Sequence, residues 1–165
     1  MASLLVVHHS PTAATRSLLD AVLAGANDPA IDGVEVRAVP ALEATAKDVL
    51  AAEACILGTT ANFGYMSGAL KHFFDSTFLA IGGALDDTGG AGGTAGAGSK
   101  RPFGLYVHGR YDTNGAVLSV LSIVQALGWR QVHETLEVMG DVDDQHLSAA
   151  YDLGATLAAN VMEDR

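Results

Sequence analysis

Three short stretches of the chain gather hydroxyl, imidazole and guanidinium groups around proline or glycine: Ser10-Pro11-Thr12-Ala13-Ala14-Thr15, Thr59-Thr60-Ala61-Asn62-Phe63-Gly64 and His108-Gly109-Arg110-Tyr111-Asp112-Thr113. The first sets three hydroxyls at the opening of a helical pattern, where free N–H groups and the positive end of the helix dipole attract an anion. A hydrogen bond to a charged group is worth about 1.5–3 kcal/mol, so the hydroxyls of Ser10, Thr12 and Thr15 and the amides around Ala13 and Ala14 suffice for a phosphate dianion, with Arg16 optional. The same residues equally suit a plain helix start, with Ser10 as cap and Pro11 at the first position. In the third stretch Gly109 permits close approach, Tyr111 offers a stacking ring, Arg110 brings positive charge and His108 is the residue suited to proton supply. Asp112 or Thr113 alternatively caps the next helix.

The hydrophobic pattern supplies the frame that must bring these stretches together. Ser3 to His8 is a short run rich in branched residues and reads as a strand; Leu18, Leu19, Val22 and Leu23 recur at helical spacing, with Gly25 as the stop. Val34 to Val39 alternates and ends at Pro40, as an edge strand does, and a weak helix over about 43–52 follows. Ala54 to Gly58 is continuously apolar, the mark of a central parallel strand. Met66, Leu70, Phe73, Phe74, Thr77 and Phe78 share one side of the next helix, with Lys71 and Asp75 paired at i,i+4 on the other. Phe103 to His108 is a further strand, a helix over about 114–127 stops at Gly128, an alternating strand covers about 129–138, and a terminal helix covers about 143–162. Five strands alternating with five helices predict an α/β fold: a three-layer α/β/α sandwich around a five-stranded parallel sheet of order 2-1-3-4-5. Ligands of such sheets bind beyond the carboxyl ends of the strands, where the order reverses between strands one and three, and all three stretches fall at that edge.

At about 150 residues per domain, 165 residues make one domain, 1–165. Hydrophobic residues at 49% and charged residues at 17% place it among globular chains with a buried core. Nineteen acids against nine bases give a net charge of −10, which repels nucleic acid and anionic membrane surfaces. Cys55 has no partner for a disulfide and sits mid-strand as a packed thiol; the N-terminus carries no secretion signal and no apolar run reaches the roughly 18 residues of a membrane span, so a cytoplasmic protein is expected. Residues 82–99 hold 8 of the 19 glycines and read as a flexible loop, the alternatives being a flap over the site or an oligomer contact. Within them Gly93 to Lys100 imitates a nucleotide phosphate loop, yet Ser and Lys are in the wrong order and a strand follows, so the match is rejected. His8, His9 and His108 lack a carboxylate at ligand spacing, and no metal site is expected.

Ser10-x-Thr12-Ala13-x-Thr15 resembles the phosphate loop of flavodoxins, Ser/Thr-x-Thr-Gly-x-Thr, with Ala13 in place of glycine. Gly58 to Asp75 resembles the flavin loop and helix of flavodoxin-like NAD(P)H:quinone oxidoreductases and FMN reductases, roughly Gly-Thr-Pro-Thr-Arg-Phe-Gly-Asn-Met-x-Gly, with Thr60, Ala61 and Asn62 where that group has Pro, Thr and Arg. The resemblance implies FMN held by Ser10, Thr12, Ala13, Ala14 and Thr15 at its phosphate. It implies that Thr59, Thr60, Ala61, Asn62, Phe63 and Gly64, with His108, Gly109, Arg110 and Tyr111, surround its rings. Phe63 or Tyr65 would cover the rings; the alternative is that Phe63 and Met66 merely staple the helix to the sheet. The implied activity is electron transfer from NADPH or NADH to a small-molecule acceptor, a quinone or flavin, with His108 as proton source and a homodimer or homotetramer as the assembly. Two alternatives stay open: a flavodoxin carrier serving protein partners, for which the acidity argues, and a non-catalytic binding module that has lost flavin.

Overall fold

The computed structural model describes residues 1–90, 92 and 100–163. The central sheet runs β2 (Val34–Pro40), β1 (Ala2–His8), β3 (Ala54–Asn62) and β5 (Pro102–Gly109), all parallel, and then β6 (Arg130–Gln131) and β7 (Leu136–Met139), which both pair with β5. This is the expected 2-1-3-4-5 order. The fifth strand, expected to be continuous over about 129–138, is instead split: between Phe103 and Tyr106 β5 advances three residues while its partners advance five, from Gln131 to Leu136. The Gln131 side chain bridges the two-residue excess by donating to the His133 carbonyl and the Thr135 hydroxyl.

Alternation along the strands sorts the core into two layers. Leu4, Val6, Ile56 and Tyr106 pack against α1 (Ala13–Ala26) and α5 (Asp144–Glu163). Leu5, Val7, Cys55, Leu57, Leu105 and Val107 pack against α2 (Ala46–Ala51), α3 (Gly68–Thr77) and α4 (Asn114–Ala126). Burial pushes the Cys55 thiol up to about 12, as a packed cysteine requires. Met66, expected at the start of the third helix, lies instead in β4 (Tyr65–Met66), a short strand folded back antiparallel on the end of β3, and is buried in the core. Lys71 and Asp75 form the expected i,i+4 ion pair, 2.7 Å apart.

Gly25, expected to end the first helix, lies inside α1, which continues to Ala26. Its reason is packing. A Cβ on Gly25 would stand 1.9 Å from the Tyr151 carbonyl oxygen of α5, and one on Gly154 would stand 2.0 Å from the Val22 carbonyl oxygen of α1. The two helices thus touch backbone to backbone, and the Tyr151 hydroxyl donates to the Asp28 carboxylate just beyond α1. Among the described residues no helix is long and apolar enough to cross a membrane. The glycine-rich stretch begins with a turn in which Asp86 accepts from the Thr88 and Gly90 amides; residues 91 and 93–99, including most of the rejected phosphate-loop match, lie outside the described residues.

The helix contact gives a direct expectation for stability. Gly154→Ala should lower the unfolding free energy by about 1–3 kcal/mol, as an overpacked core does, even after the gain in helix propensity. Gly68→Ala, which meets open space at the start of α3, should be neutral or stabilising; urea unfolding of both variants checks the contrast.

Candidate functional site

The carboxyl ends of β1, β3, β5 and β7 converge as expected, and a cleft of about 710 Å³ opens there, lined by Thr12, Ala13, Ala14 and Ser17 of the α1 start with His108, Arg110 and the Gly140–Val142 turn. Five predicted site residues line it: Thr12, Ala13, Ala14, His108 and Arg110. Ser17, Gly140, Asp141 and Val142 were missed. The last three follow the fifth strand, so the rule that selected the other strand ends applied to them as well.

Thr12, not Ser10, caps α1. The Thr12 hydroxyl accepts from the Thr15 amide at 3.2 Å, and the Thr12 amide donates to the Thr15 hydroxyl at 3.1 Å. Thr15 is fully buried and spent on this reciprocal cap, so it is not available to a ligand as expected. The amides of Ala13 and Ala14 are left with no acceptor among the described residues, at the positive end of a 14-residue helix and on the cleft wall. Ala13 takes helical backbone at the first position, so its methyl strains nothing. Arg16 turns back to donate to the Pro11 carbonyl.

Ser10 bonds His8 Nδ1 at 2.9 Å, and burial holds the His8 imidazole below its usual pKa. On the same face of the sheet His8, Gly58 and Tyr106 stand side by side in register, and Thr60 stands beside His108 one step further along. Gly58 has no Cβ because the Tyr106 ring occupies that space, 2.1 Å from where the atom would be. The Tyr106 hydroxyl is buried without a hydrogen-bond partner; burial raises its pKa, and the nearby Ser10 hydroxyl offsets part of the shift without reaching bonding geometry. The Thr60 hydroxyl is likewise buried and unpartnered. Native interiors rarely leave such groups unpaired, and these two lie on β3 and β5 without lining the cleft. His108 Nε2 donates to the Gly140 carbonyl at 2.7 Å, which leaves Nδ1 for other partners. Arg110 pairs with Asp141 at 2.7 Å on the surface, where such a bond contributes little.

The second loop divides into buried and exposed parts. Thr59 is fully buried, accepting from the Ser67 amide and donating to the Thr60 carbonyl; it fixes the cap of α3 and does not reach the cleft as expected. Ala61 packs against the core, and Asn62 is exposed. Phe63 and Gly64 form the two-residue turn between β3 and β4 with φ of 51° and 75°, the signature of a type I′ hairpin. Phe63 is fully exposed, so it staples nothing, and among the described residues no phenylalanine, tyrosine or tryptophan ring lines the cleft. Gly64 and Gly115 are in contact, the Gly64 carbonyl oxygen 2.0 Å from where a Gly115 Cβ would be, so the second and third loops lean on each other. Gly109 serves the same packing: its Cβ would crowd Ala61, Asp112 and Thr113. Tyr111 is exposed, Asp112 accepts from the Asn114 amide, and the buried Thr113 hydroxyl donates to Glu137.

No family model matches the chain. A flavodoxin of Aquifex aeolicus is 34% identical over 86 residues, 52% of this chain and 45% of that protein, so the chain matches a little under half the length of this curated relative. A flavodoxin from the domain Archaea superposes with a TM-score of 0.77 at 16% identity, covering 97% of this chain and 99% of that one. The flavodoxin, WrbA-like protein of Agrobacterium tumefaciens gives 0.72 at 18% identity with full coverage of both chains, and flavodoxin 1 of Bacillus cereus gives 0.74 at 16% identity over 96% and 98%. Strand order, two-layer core and these likenesses agree that the chain has the flavodoxin-like fold.

Proposed function

We propose that the chain is an FMN-binding electron-transfer protein whose cofactor lies in the cleft with its phosphate against the start of α1. The observation that carries this is the pair of unclaimed Ala13 and Ala14 amides at a helix N-terminus, on the wall of a cleft of about 710 Å³. That volume lies in the range of small-molecule sites. Thr12, Ala13, Ala14 and Ser17 would hold the phosphate end, with Asp141 and Val142 along the opposite wall. FMN, when bound, supplies the redox chemistry; the protein supplies position, hydrogen bonds and charge. In this reading His108 acts from Nδ1, because Nε2 is fixed on the Gly140 carbonyl.

Two assignments share this cofactor. The carrier reading is favoured by the acids at the cleft mouth, Asp112, Asp141, Asp143 and Asp144, all exposed, beside the exposed Phe63, Tyr111 and Met139; a basic protein partner fits that rim. The reductase reading, with NADPH or NADH as donor and a quinone or flavin as acceptor, rests on the likeness of Gly58 to Asp75 to that group of enzymes.

Purified protein given FMN should turn yellow and hold the cofactor through gel filtration; failure to bind overturns both readings. Ala13→Glu should place a carboxylate where the phosphate would sit, lowering FMN affinity by about 100-fold, while the same charge at the first helical position adds about 0.3–1 kcal/mol to the fold. Unchanged affinity would remove the phosphate from this helix. Phe63→Gly should stabilise the apoprotein by about 1 kcal/mol by relieving the left-handed backbone, and should weaken cofactor binding or partner-driven reduction. With the flavin bound, steady oxidation of NADPH or NADH in the presence of a quinone marks the reductase; reduction only by a protein donor marks the carrier.

A further inference from the structure

Two residue pairs in the chain set an acid or amide side chain directly before glycine, Asp32-Gly33 and Asn114-Gly115. Such a pair can close on itself, because a glycine nitrogen with no Cβ beside it can reach the preceding side-chain carbonyl carbon. The fold treats the two pairs differently. Asp32 and Gly33 are both exposed and lie between α1 and β2, outside any helix or strand. The Asp32 carboxylate turns onto its own neighbour and accepts from the Gly33 amide, with Oδ1 2.8 Å from the nitrogen. That amide makes no other hydrogen bond among the described residues, and Asp32 joins no ion pair among them. Gly33 has a φ of 80° and open space within 4 Å of where a Cβ would be, so nothing crowds a ring closing there. Asn114 is instead the first residue of α4, with its backbone amide held by the Asp112 carboxylate. Gly115 is pressed against the Gly64 carbonyl oxygen, 2.0 Å from where its Cβ would be, so ring closure at Asn114 has to unwind the helix start.

We propose that Asp32 is a site of spontaneous isoaspartate formation in the folded protein. The Gly33 nitrogen bonds to the carbon of the protonated Asp32 carboxyl group and gives up its proton; the carboxyl hydroxyl leaves with that proton as water, and a succinimide remains. A water molecule then opens the ring. Opening at the main-chain carbonyl routes the chain through the Asp32 Cβ, and the product has the mass of the parent because the water lost is regained. No oxidant, metal or cofactor takes part. The change falls at the start of the β1–β2 pairing, where the Gly33 carbonyl accepts from the Ala2 amide at 3.0 Å and Ala2 stands opposite Val34. That is the end of β1 away from the cleft, so the inference is independent of the flavin reading.

The full chain is held at near-neutral pH and body temperature for several weeks, one sample folded and one unfolded in guanidinium chloride, and both are then digested with trypsin. The peptide between Arg16 and Arg37 contains Asp32, and electron-transfer fragmentation locates a methylene moved into the main chain. Isoaspartate should build up at Asp32 in the folded sample at a rate within a few-fold of that in the unfolded one. Deamidation of Asn114 should be at least about tenfold slower in the folded sample, because it waits on local opening of α4. Asp32→Glu, which keeps the charge but needs a larger ring, should leave this position unmodified with the denaturation midpoint unchanged. Isoaspartate at Asp32 confined to the unfolded sample, equal protection of Asp32 and Asn114 by folding, or the same product in Asp32→Glu would overturn the proposal.

Discussion

The position of α1 depends on two missing methyl groups. Gly25 and Gly154 let the backbones of α1 and α5 meet, and this contact fixes the spacing of the two helices that cover one face of the sheet. Its N-terminus is thereby placed across from His108 and the Gly140–Val142 turn, and the cleft between them is a consequence of helix packing. Adding side-chain bulk at either glycine displaces a carbonyl oxygen, which cannot yield as a flexible side chain does. An anion site made from helix amides is only as well placed as the helix that presents them. The Thr12–Thr15 cap then decides which amides are offered. By satisfying the Thr15 amide internally it leaves those of Ala13 and Ala14 facing outward.

Much of this was legible from the chain, because hydrophobic period is written in the sequence. The apolar run from Ala54 and the alternating Val34–Val39 located the centre and the edge of the sheet, and burial follows them: β3 is buried along seven residues while β2 is largely exposed. Gly25 misled because a glycine that ends a helix and a glycine that admits a second helix look alike in one dimension; only Tyr151, more than a hundred residues away, distinguishes them. Met66 misled for a similar reason: an apolar residue near a helix start satisfies the helical pattern, while its pairing with Ala61 is set by the Phe63–Gly64 turn. In the site, Thr12 is the predicted hydroxyl-bearing residue that lines the cleft, while Thr15 and Thr59 are buried. Which hydroxyls face a ligand could not be read, since Thr12 and Thr15 bond each other and Thr59 turns to Ser67.

The orphaned hydroxyls and the strained turn point the same way. A buried unpaired hydroxyl and a bulky residue in left-handed backbone each cost free energy, and both persist only where the surrounding structure fixes them or a ligand repays them. Thr60, Tyr106 and Phe63 lie on or beside strands β3 and β5, of which β5 gives His108 to the cleft wall, while among the described residues the outer strand β2 carries no such feature. Such groups occur toward both ends of β5: Thr60 and Tyr106 with Phe63 toward its carboxyl end, and Arg101 Nε and Trp129 Nε1 with the left-handed Lys100 toward its amino end.

At the carboxyl end of β5 the unclaimed groups on the cleft wall are amides, donors without full charge, which suit an anion that brings its own charge density. The basic side chains of this acidic chain are not spent there: Arg37, Lys71 and Arg110 each meet a carboxylate at 2.7–2.8 Å. Recognition by oriented backbone dipoles needs no flexible cation, and the rigidity of the capped helix start takes its place.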